Sequence, residues 1–390
     1  MSDQDIEAFR SELRSWLADN IPDELRLEHA AQLPEAERIE QLRAWQATLA
    51  AARWVGITWP NEYGGRGASI PQQIAYTEEM ARAEAPQVVG SLGIGIAGPP
   101  LIAYGTEEQK QRFARRILTA EDLWCFGFSE PGAGSDLASL RTLALLDGDH
   151  FVVNGQKVWT TLAQHADWCM LLCRTDPQAK RRAGISCLLV DMKSPGITVR
   201  PLRQISGHAE FNEVFFENVR VPRELVVGEI DRGWEISLTT LNHERGANIP
   251  YQRLRQMLEG LLVLSRRRSL DGPLAADPLV RQELAQLAID IEVLRASTYR
   301  NVFDIMRTGQ PGPGGSMLKL FWSELEQRLM QVAVSLAGPY GALDEHAPQA
   351  FDEGRWQYGV LWSRAASIYA GTSEVQRNIM AQRVLGLPRG

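Results

Sequence analysis

The spacing of apolar residues changes twice along this chain, and the two changes limit the folds that it can adopt. Up to about residue 120, apolar side chains recur at helical spacing, as in Ile6, Phe9, Leu13, Trp16 and Leu17. From about residue 121 to 231, apolar and polar residues alternate, which is typical of strands. Long amphipathic patterns return after Gly233, so helices, then strands, then helices are expected in that order.

This order predicts an α+β multidomain protein. We expect an N-terminal all-α domain at residues 1–120, a middle antiparallel β-barrel or sandwich domain at 121–232 and a C-terminal four-helix bundle at 233–390. The individual elements that the patterns predict are a hairpin across Asn154-Gly155, a buried strand at 184–190, and helices at 233–268, 278–309, 315–337 and from Ser373.

Length and charge exclude several classes of protein. At 390 residues the chain is long enough for two or three domains, and 44% hydrophobic with 23% charged residues is typical of a soluble globular protein. A formal charge of -7 argues against a general nucleic-acid binder. No apolar run approaches the roughly 18 residues that a membrane span requires, and the acidic N-terminus is unlike a signal peptide. A cytosolic protein without membrane or nucleic-acid partners is predicted.

The four cysteines favour a structural role. They form no Cys-x-x-Cys pair and lie in apolar, strand-like runs, at Cys125, Cys169, Cys173 and Cys187. Buried thiols are therefore expected, with zinc binding or redox chemistry as the alternative. The cluster Arg266-Arg267-Arg268 likewise favours a solvated helix end over a site for a coenzyme phosphate.

A glycine-rich segment carries the letters of a dinucleotide-binding fingerprint. It reads Gly93-Ile94-Gly95-Ile96-Ala97-Gly98. The fingerprint works only between a strand and a helix whose N-terminus faces the pyrophosphate. Here a helical pattern precedes the segment and two prolines follow it, so close packing of helices at small residues is the better interpretation.

The most specific local signal spans residues 124 to 136. It reads Trp124-Cys125-Phe126-Gly127-Phe128-Ser129-Glu130-Pro131-Gly132-Ala133-Gly134-Ser135-Asp136. A strand pattern ends at Ser129, and the glycines after Pro131 let backbone N–H groups turn toward an anion. Gly134 and Ser135 would then offer an amide and a hydroxyl to a flavin or phosphate oxygen. Glu-Pro-Gly by itself would favour a plain loop.

The full run resembles the threonine-glutamate-proline-glycine-alanine-glycine-serine signature of acyl-CoA dehydrogenases, with Ser129 in place of the threonine. The resemblance implies that FAD is lined by Phe126, Phe128, Ser129, Gly134 and Ser135. It also places Ser135 near the coenzyme A chain of the substrate.

A second block of the same family follows, Asn154-Gly155-Gln156-Lys157-Val158-Trp159-Thr160-Thr161. Taken alone, a tryptophan in a strand pattern is usually a core residue. The resemblance instead implies that Trp159 and Thr161 cover one face of the isoalloxazine and bond its polar edge. With the C-terminal signature described next, the resemblance spans essentially the whole chain.

The C-terminal stretch Ser367-Ile368-Tyr369-Ala370-Gly371-Thr372-Ser373-Glu374-Val375-Gln376-Arg377 resembles the family's tyrosine-glutamate-glycine-threonine signature. In that signature the glutamate removes the substrate's α-proton, and Ala370 occupies its position here. The resemblance also implies that the N–H of residue 370 and a ribityl hydroxyl of FAD stabilise the thioester oxygen as charge builds on it. Ala370 and Gly371 are therefore expected to contact the substrate, although the carboxylate is missing.

Glu244 is expected to supply that carboxylate. The segment Leu241-Asn242-His243-Glu244-Arg245-Gly246 resembles that of isovaleryl- and long-chain-type members, which carry the base on this helix. The small side chain of Ala370 would leave room for Glu244 to reach the same α-carbon. Asn242 and Arg245 match positions that contact coenzyme A. The alternative is that Glu244 and Arg245 form a solvated pair on the helix surface.

Further resemblances concern the adenine and pyrophosphate end of FAD. Arg268 begins a match to an Arg-x-x-Phe-Gly block, with Asp271 in place of the phenylalanine. The family's glycine-rich loop corresponds to Gly338 and Gly341, where an intervening proline removes a backbone donor. Two further cofactor-binding positions are Thr372 and Glu374, the latter replacing a glutamine. These departures fit a chain that shares FAD sites with a different partner subunit.

Three functions are therefore to be weighed. The leading one is FAD-dependent dehydrogenation of an acyl-CoA, with electrons passed to electron-transferring flavoprotein by a homotetramer or a heterotetramer with a homologous subunit. The second is a catalytically silent or FAD-sharing subunit, and the third is a flavin-dependent oxidase or monooxygenase. Gly246 and Ala247 leave space after Glu244, which permits a branched or bulky acyl group.

Overall fold

The chain forms two compact units, each with its own hydrophobic core. The computed structural model describes residues 3–25, 35–247, 251–269, 272–308, 312–344 and 347–388, without the side chains at 3, 35, 241–247, 268–269 and 272. The first unit comprises Met1–Gln204 with His208–Glu244, and the second Ile205–Gly207 with Arg245–Gly390. The domain boundaries predicted at residues 120 and 232 stay predictions.

The N-terminal part of the first unit is helical. Its α-helices are α1 (Asp3–Asn20), α2 (Glu35–Ala51), α3 (Ile70–Arg82), α4 (Gly98–Tyr104) and α5 (Glu107–Leu118). Helix α3 begins at a capping box in which the Ser69 hydroxyl accepts a bond from the Gln72 N–H. The buried Glu79 carboxylate of α3 accepts bonds from Arg10 at 3.1 Å and Arg14 at 3.0 Å, which fixes α1 against α3.

The glycine-rich segment at 93–98 is a packing site. Gly93–Ala97 forms one π-helical turn that runs directly into α4. A Cβ atom on Gly98 would lie 1.9 Å from the Trp59 ring, and one on Gly93 would lie 3.0 Å from Ile117. Only glycine permits such a close approach of backbone to side chain, so the packing interpretation is confirmed.

The rest of the first unit is built on one sheet. Within the described residues, eight strands form it: β1 (Trp124–Gly127), β2 (Leu143–Asp147), β3 (His150–Thr161), β4 (Trp168–Arg174), β5 (Ile185–Asp191), β6 (Ile197–Leu202), β7 (Phe211–Pro222) and β8 (Val226–Val227). The strand order is β6-β7-β3-β2-β4-β5-β8, with β1 paired to β4. Most pairs are antiparallel, whereas β4 runs parallel to β1 and β2.

The predicted hairpin across Asn154-Gly155 is wrong. Both residues lie inside the continuous strand β3, and the turn falls at Gly148, between β2 and β3. Gly155 instead marks an irregularity in the pairing of β3 with β7, and a Cβ atom on Gly155 would lie 2.6 Å from Thr142 Oγ1. Gly155 therefore permits close packing against Thr142, and glycine inside a strand often marks such an irregularity.

The four cysteines are free and fully buried, as predicted. Cys125 and Cys169 are direct partners on β1 and β4, and Cys173 follows on β4. Burial raises the pKa of Cys173 to about 12 and that of Cys187 well above its usual value. Such thiols remain protonated and act as small apolar side chains.

Helices return after the sheet. They are α6 (Gly233–Ala247), α7 (Tyr251–Ser265), α8 (Pro278–Thr308), α9 (Gly314–Ala337), α10 (Arg355–Ser363) and α11 (Ser373–Arg383). The single helix predicted at 233–268 is wrong, because α6 and α7 are separate helices. Pro250 precedes α7, and a proline inside a continuous helix would remove a backbone donor.

Helices, then an eight-stranded sheet, then further helices confirm the predicted fold class. The core of the second unit is formed by leucine-rich faces of α7, α8 and α9 and by Trp356 of α10. No helix within the described ranges is long and apolar enough to cross a membrane.

Candidate functional site

A loop that follows β1 carries the first set of predicted site residues. The strand ends at Gly127, two residues earlier than the pattern predicts. Glu130 and Ala133 exchange two backbone hydrogen bonds of 3.0 Å, which closes a tight turn. Within it Pro131 and Gly132 are exposed, as are Gly134 and Ser135 after it. Apart from Gly134 and its chain neighbours, no described residue has an atom within 4 Å of the position that a Cβ on Gly134 would occupy, so a ligand can approach this backbone closely.

A buried ion pair holds the loop against β3. The Lys157 side chain is fully buried, and its Nζ donates to Glu130 Oε1 at 2.8 Å and to the Phe128 carbonyl at 3.0 Å. The Glu130 carboxylate also accepts from the backbone N–H groups of Arg141 at 2.6 Å and Thr142 at 2.8 Å. The pair therefore ties together the end of β1, the loop and the segment before β2.

Burial and pairing act in opposite directions on these two groups. Burial favours the neutral form of Glu130, but the Lys157 ammonium and the bonds at Thr142 hold the pKa of this carboxyl below its usual value. Burial lowers the pKa of Lys157, and Glu130 offsets part of that effect. A lowered carboxyl pKa means that Glu130 stabilises the fold at neutral pH and loses that contribution as the pH falls below about 4.

Trp159 is presented to solvent by an irregular stretch of β3. Lys157 pairs with Val214 and Thr160 with Asn212, so β3 contains one residue more than β7 between these pairs. Trp159 occupies this bulge with φ 61°, a conformation that is costly for a bulky residue. Its indole is 60% exposed. A core role for this tryptophan is thereby excluded in this chain, and strain of this kind often marks a functional position.

The remaining predicted residues of this unit lie nearby in the chain. The Phe126 and Phe128 rings meet edge to face at 5.3 Å, with Phe128 buried and Phe126 half-buried. Ser129 is half-buried, and its carbonyl accepts from the Val158 N–H at 3.0 Å. Thr161 ends β3 and is half-buried. The structure thus brings the end of β1 and the Trp159 bulge together through residues 129 and 158.

This arrangement fits a flavin. An exposed indole suits stacking on a planar ring, and the open backbone at Gly134 with the Ser129 and Ser135 hydroxyls suits polar atoms of a cofactor. The Trp159 ring meets the Phe211 ring edge to face at 6.1 Å, and this contact leaves the residue 60% exposed. Contact of these residues with FAD stays a prediction.

The second unit contains the loop with Ala370. Ala370 has φ 54° and Gly371 has φ 92°, so both residues adopt the left-handed conformation. Among the described residues, the Ala370 N–H donates no backbone hydrogen bond. Tyr369 anchors the loop, with its ring 6.2 Å from Trp322 and 6.1 Å from Trp362. The loop therefore offers a backbone donor at the position where the family signature has a glutamate.

The start of α11 stabilises this loop. The Thr372 hydroxyl caps the helix by accepting a bond from the Val375 N–H at 3.2 Å. Glu374 is exposed, and the pKa of its carboxyl is lowered by its own backbone N–H and by the Thr372 hydroxyl. The buried Gln376 donates to the Ala370 carbonyl at 2.9 Å.

Gly338 and Gly341 lie at the end of α9. Gly338 has φ 57°, and Gly341 is buried so closely that a Cβ would lie 2.6 Å from the Val334 carbonyl. Tyr340 between them is 55% exposed. The loop that they form, Gly338–Ala342, is a single 3₁₀ turn. Glycine is required here by the backbone, and a contact with the adenine end of FAD stays a prediction.

Four predicted side chains lie outside the described part of the molecule. Asn242, Glu244 and Arg245 are on α6, and Arg268 begins the short strand Arg268–Ser269. Asp271 also lies outside the described residues. The roles assigned to these residues therefore stay predictions.

Sequence reasoning assigned no role to Lys157, Glu130 or Gln376, although each lies within a quoted motif. A lysine two residues before Trp159 in an otherwise alternating strand is a detectable signal, because a buried lysine requires a partner. Gln376 gave no such signal, since a glutamine four residues after a helix cap is common on helix surfaces.

Comparisons with known proteins agree with these motifs. Family models match all three parts of the chain: the acyl-CoA dehydrogenase N-terminal domain at residues 3–121, the middle domain at 125–219 and the C-terminal domain at 231–385. The chain belongs to the acyl-CoA dehydrogenase family. Acyl-CoA dehydrogenase IpdE1 of Mycobacterium tuberculosis is 44% identical over 390 residues, which cover 99% of each chain. Membership predicts an oxidoreductase, and the family generally uses FAD.

Two solved structures share the whole fold. The ChsE4-ChsE5 complex from Mycobacterium tuberculosis contains a chain that is 34% identical, with a TM-score of 0.86 over 100% of this chain and 99% of that one. The Tcur3481-Tcur3483 steroid ACAD contains a chain that is 30% identical, with a TM-score of 0.86 over 100% of this chain and 99% of that one.

The Lys157→Met substitution is expected to destabilise the first unit by about 3–5 kcal/mol, because it leaves the Glu130 carboxylate buried without its cation. The double variant Lys157→Met with Glu130→Gln should recover part of this loss. Urea midpoints of the three proteins, followed by far-UV circular dichroism, measure the effect. A double variant less stable than Lys157→Met would contradict the pairing.

The Trp159→Ala substitution tests whether this dehydrogenase presents its indole for a ligand. Because the side chain is exposed and alanine keeps the Cβ, stability should change by less than about 0.5 kcal/mol, whereas the FAD retained after gel filtration should fall severalfold. Leu146→Ala, an exposed apolar change on β2, is the matched control and should alter neither quantity. Full FAD retention by Trp159→Ala would exclude a flavin-stacking role.

Proposed function

We propose that this protein catalyses the FAD-dependent α,β-dehydrogenation of an acyl-CoA thioester. The observation that carries the proposal is the left-handed loop at Ala370, whose N–H has no backbone acceptor among the described residues. A donor of this kind can stabilise a thioester oxygen as negative charge develops on it. The loop therefore retains this part of the family machinery although position 370 holds a methyl group.

Glu244 is the proposed base. It lies on α6, three residues before the helix ends at Ala247, in a segment that resembles the leucine, glutamate and arginine pattern of members that carry the base there. In this role Glu244 removes the α-proton while the Ala370 N–H holds the carbonyl oxygen. When bound, FAD would supply the acceptor for the β-hydrogen as hydride and the route by which electrons reach an electron-transferring flavoprotein.

The other predicted residues would bind and orient the two ligands. Phe126, Phe128, Ser129, Gly134, Trp159 and Thr161 are proposed to surround the isoalloxazine. The adenine and pyrophosphate end is assigned to Arg268, Gly338, Gly341, Thr372 and Glu374. Coenzyme A is assigned to Ser135, Asn242 and Arg245. A fixed guanidinium suits a phosphate, and serine and threonine hydroxyls suit cofactor oxygens.

A bulky, ring-bearing acyl group is the proposed substrate class. Position 370 presents only a methyl group, and Gly246 and Ala247 follow Glu244. The similar Tcur3481-Tcur3483 protein is named a steroid ACAD, which supports a polycyclic acyl group here. Faster bleaching by straight short acyl-CoAs than by ring-bearing ones would contradict this assignment.

Association with a second chain is also proposed, as a homotetramer or a heterotetramer with a homologous subunit. Helix α8 buries Leu287 and Leu294 in the core, yet Ile289, Val293 and Phe303 on its other side are 54%, 48% and 64% exposed. Apolar residues on both sides of one helix favour a second partner. Two similar structures are named as pairs of proteins, ChsE4-ChsE5 and Tcur3481-Tcur3483.

A catalytically silent or FAD-sharing subunit is the second candidate. The observations that favour it are the methyl group at position 370, and Pro339 and Asp271 in the segments assigned to the pyrophosphate end. Purification of the chain alone separates the two: bound FAD absorbance supports an independent enzyme, whereas FAD retained only with a homologous partner supports sharing. Peroxide release without an acceptor would favour an oxidase or monooxygenase.

The Glu244→Gln substitution is expected to slow anaerobic flavin bleaching by about 10²–10⁴-fold, because the amide keeps the shape but cannot accept the α-proton. Straight, branched and ring-bearing acyl-CoAs form the substrate panel. FAD absorbance should be unchanged. Glu235→Gln on the same helix is the matched control and should bleach at the parent rate. A parent-like rate for Glu244→Gln would eliminate it as the base.

The Phe303→Glu substitution is expected to shift the assembly to a smaller species, since a charge at the centre of a buried interface is costly. Multi-angle light scattering at several protein concentrations measures the mass. Glu283→Gln, an exposed change on α8, should leave the mass unchanged. An unaltered mass for Phe303→Glu would show that this side of α8 is not an interface.

A further inference from the structure

The Gln376 side chain is hydrogen-bonded to the loop that contains Ala370. Its side chain is completely buried, and its Nε2 donates to the Ala370 carbonyl at 2.9 Å and to the Gly371 carbonyl at 3.3 Å. The other amide atom, Oε1, has no hydrogen-bond partner among the described residues. The side chain thus uses its donor on two consecutive carbonyls and leaves its acceptor unsatisfied.

These two bonds fix an unfavourable backbone. Ala370 has φ 54°, which costs roughly 1 kcal/mol or more for a residue with a Cβ. Gly371 has φ 92°, and a Cβ there would lie 2.7 Å from Gln376 Nε2. A loop in this conformation persists only when its surroundings hold it, and the Thr372 cap holds only the following turn.

We propose that Gln376 is a positioning residue, which orients the Ala370 N–H toward the thioester oxygen of the substrate by fixing the peptide that follows it. The inference rests on the proposed function and deepens it. Because φ and ψ of Ala370 determine where its N–H points relative to the following peptide, releasing the Ala370 carbonyl frees the donor to rotate. A donor displaced by about 1 Å costs about 10²-fold in rate.

The chemistry of the amide explains why glutamine suits this position. Both groups that Gln376 bonds are carbonyl oxygens, which require a donor. A carboxylate at position 376 would repel them. A glutamate at this site would donate only when protonated. Its activity should therefore rise as the pH falls, and burial would move this dependence upward from the ordinary glutamate range.

The test compares Gln376→Ala and the nearly isosteric Gln376→Glu with the parent holoenzyme, using the acyl-CoA that bleaches the parent fastest. We expect kcat of Gln376→Ala to fall about 10²-fold, with little change in KM and with FAD retained. Gln376→Glu should lose activity at neutral pH and regain it as the pH is lowered. Ser363→Ala, which removes the hydroxyl bond of a different buried side chain in this unit, controls for stability alone.

Each outcome decides one question. Parent-like kcat for Gln376→Ala, or a pH profile for Gln376→Glu that matches the parent, would overturn the positioning role. Equal losses of kcat in Gln376→Ala and Ser363→Ala, in proportion to their melting temperatures, would also overturn it. A parent protein that binds FAD but bleaches with no acyl-CoA would instead overturn the proposed function, so the two failures are distinguishable.

Discussion

The buried ion pair of Lys157 and Glu130 is the interaction on which the first unit's candidate site depends. It joins β3 to the loop after β1, and these two segments contain most of the first unit's residues that are proposed to bind the flavin. A charge pair with almost no solvent access is tolerated because both groups also bond to backbone atoms. The same bonds fix Ser129 beside Val158, so Trp159 can remain exposed in a strained bulge without disturbing the sheet.

In the second unit a single buried amide, and not an ion pair, holds the segment that contains the predicted site residues. Two residues in the left-handed conformation, Ala370 and Gly371, are held by one buried amide and followed by a helix cap. In each unit a buried polar side chain donates to a backbone carbonyl in or beside the segment that contains the predicted site residues. Because the N–H of residue 370 belongs to the backbone, it is present whether that position holds a carboxylate or a methyl group.

The fold class and most helices follow from periodicity, because long segments bury one face and their spacing is visible in the sequence. The predictions at 278–309 and 315–337 agree with Pro278–Thr308 and Gly314–Ala337 within a residue. The predicted hairpin at Asn154-Gly155 failed for a physical reason. Asparagine and glycine favour a turn locally, but pairing along the whole of β3 with β7 overrides that preference.

The sequence by itself determined the family, the identity of the motifs and the absence of a carboxylate at Ala370, because these are properties of residue type and order. Only the tertiary structure decided that Trp159 is exposed, that Lys157 reaches Glu130 and that Gln376 donates to the Ala370 and Gly371 carbonyls. Burial and hydrogen bonding depend on which segments meet, and a local pattern does not specify those contacts. The sequence alone therefore did not show which buried residues hold the candidate site in place.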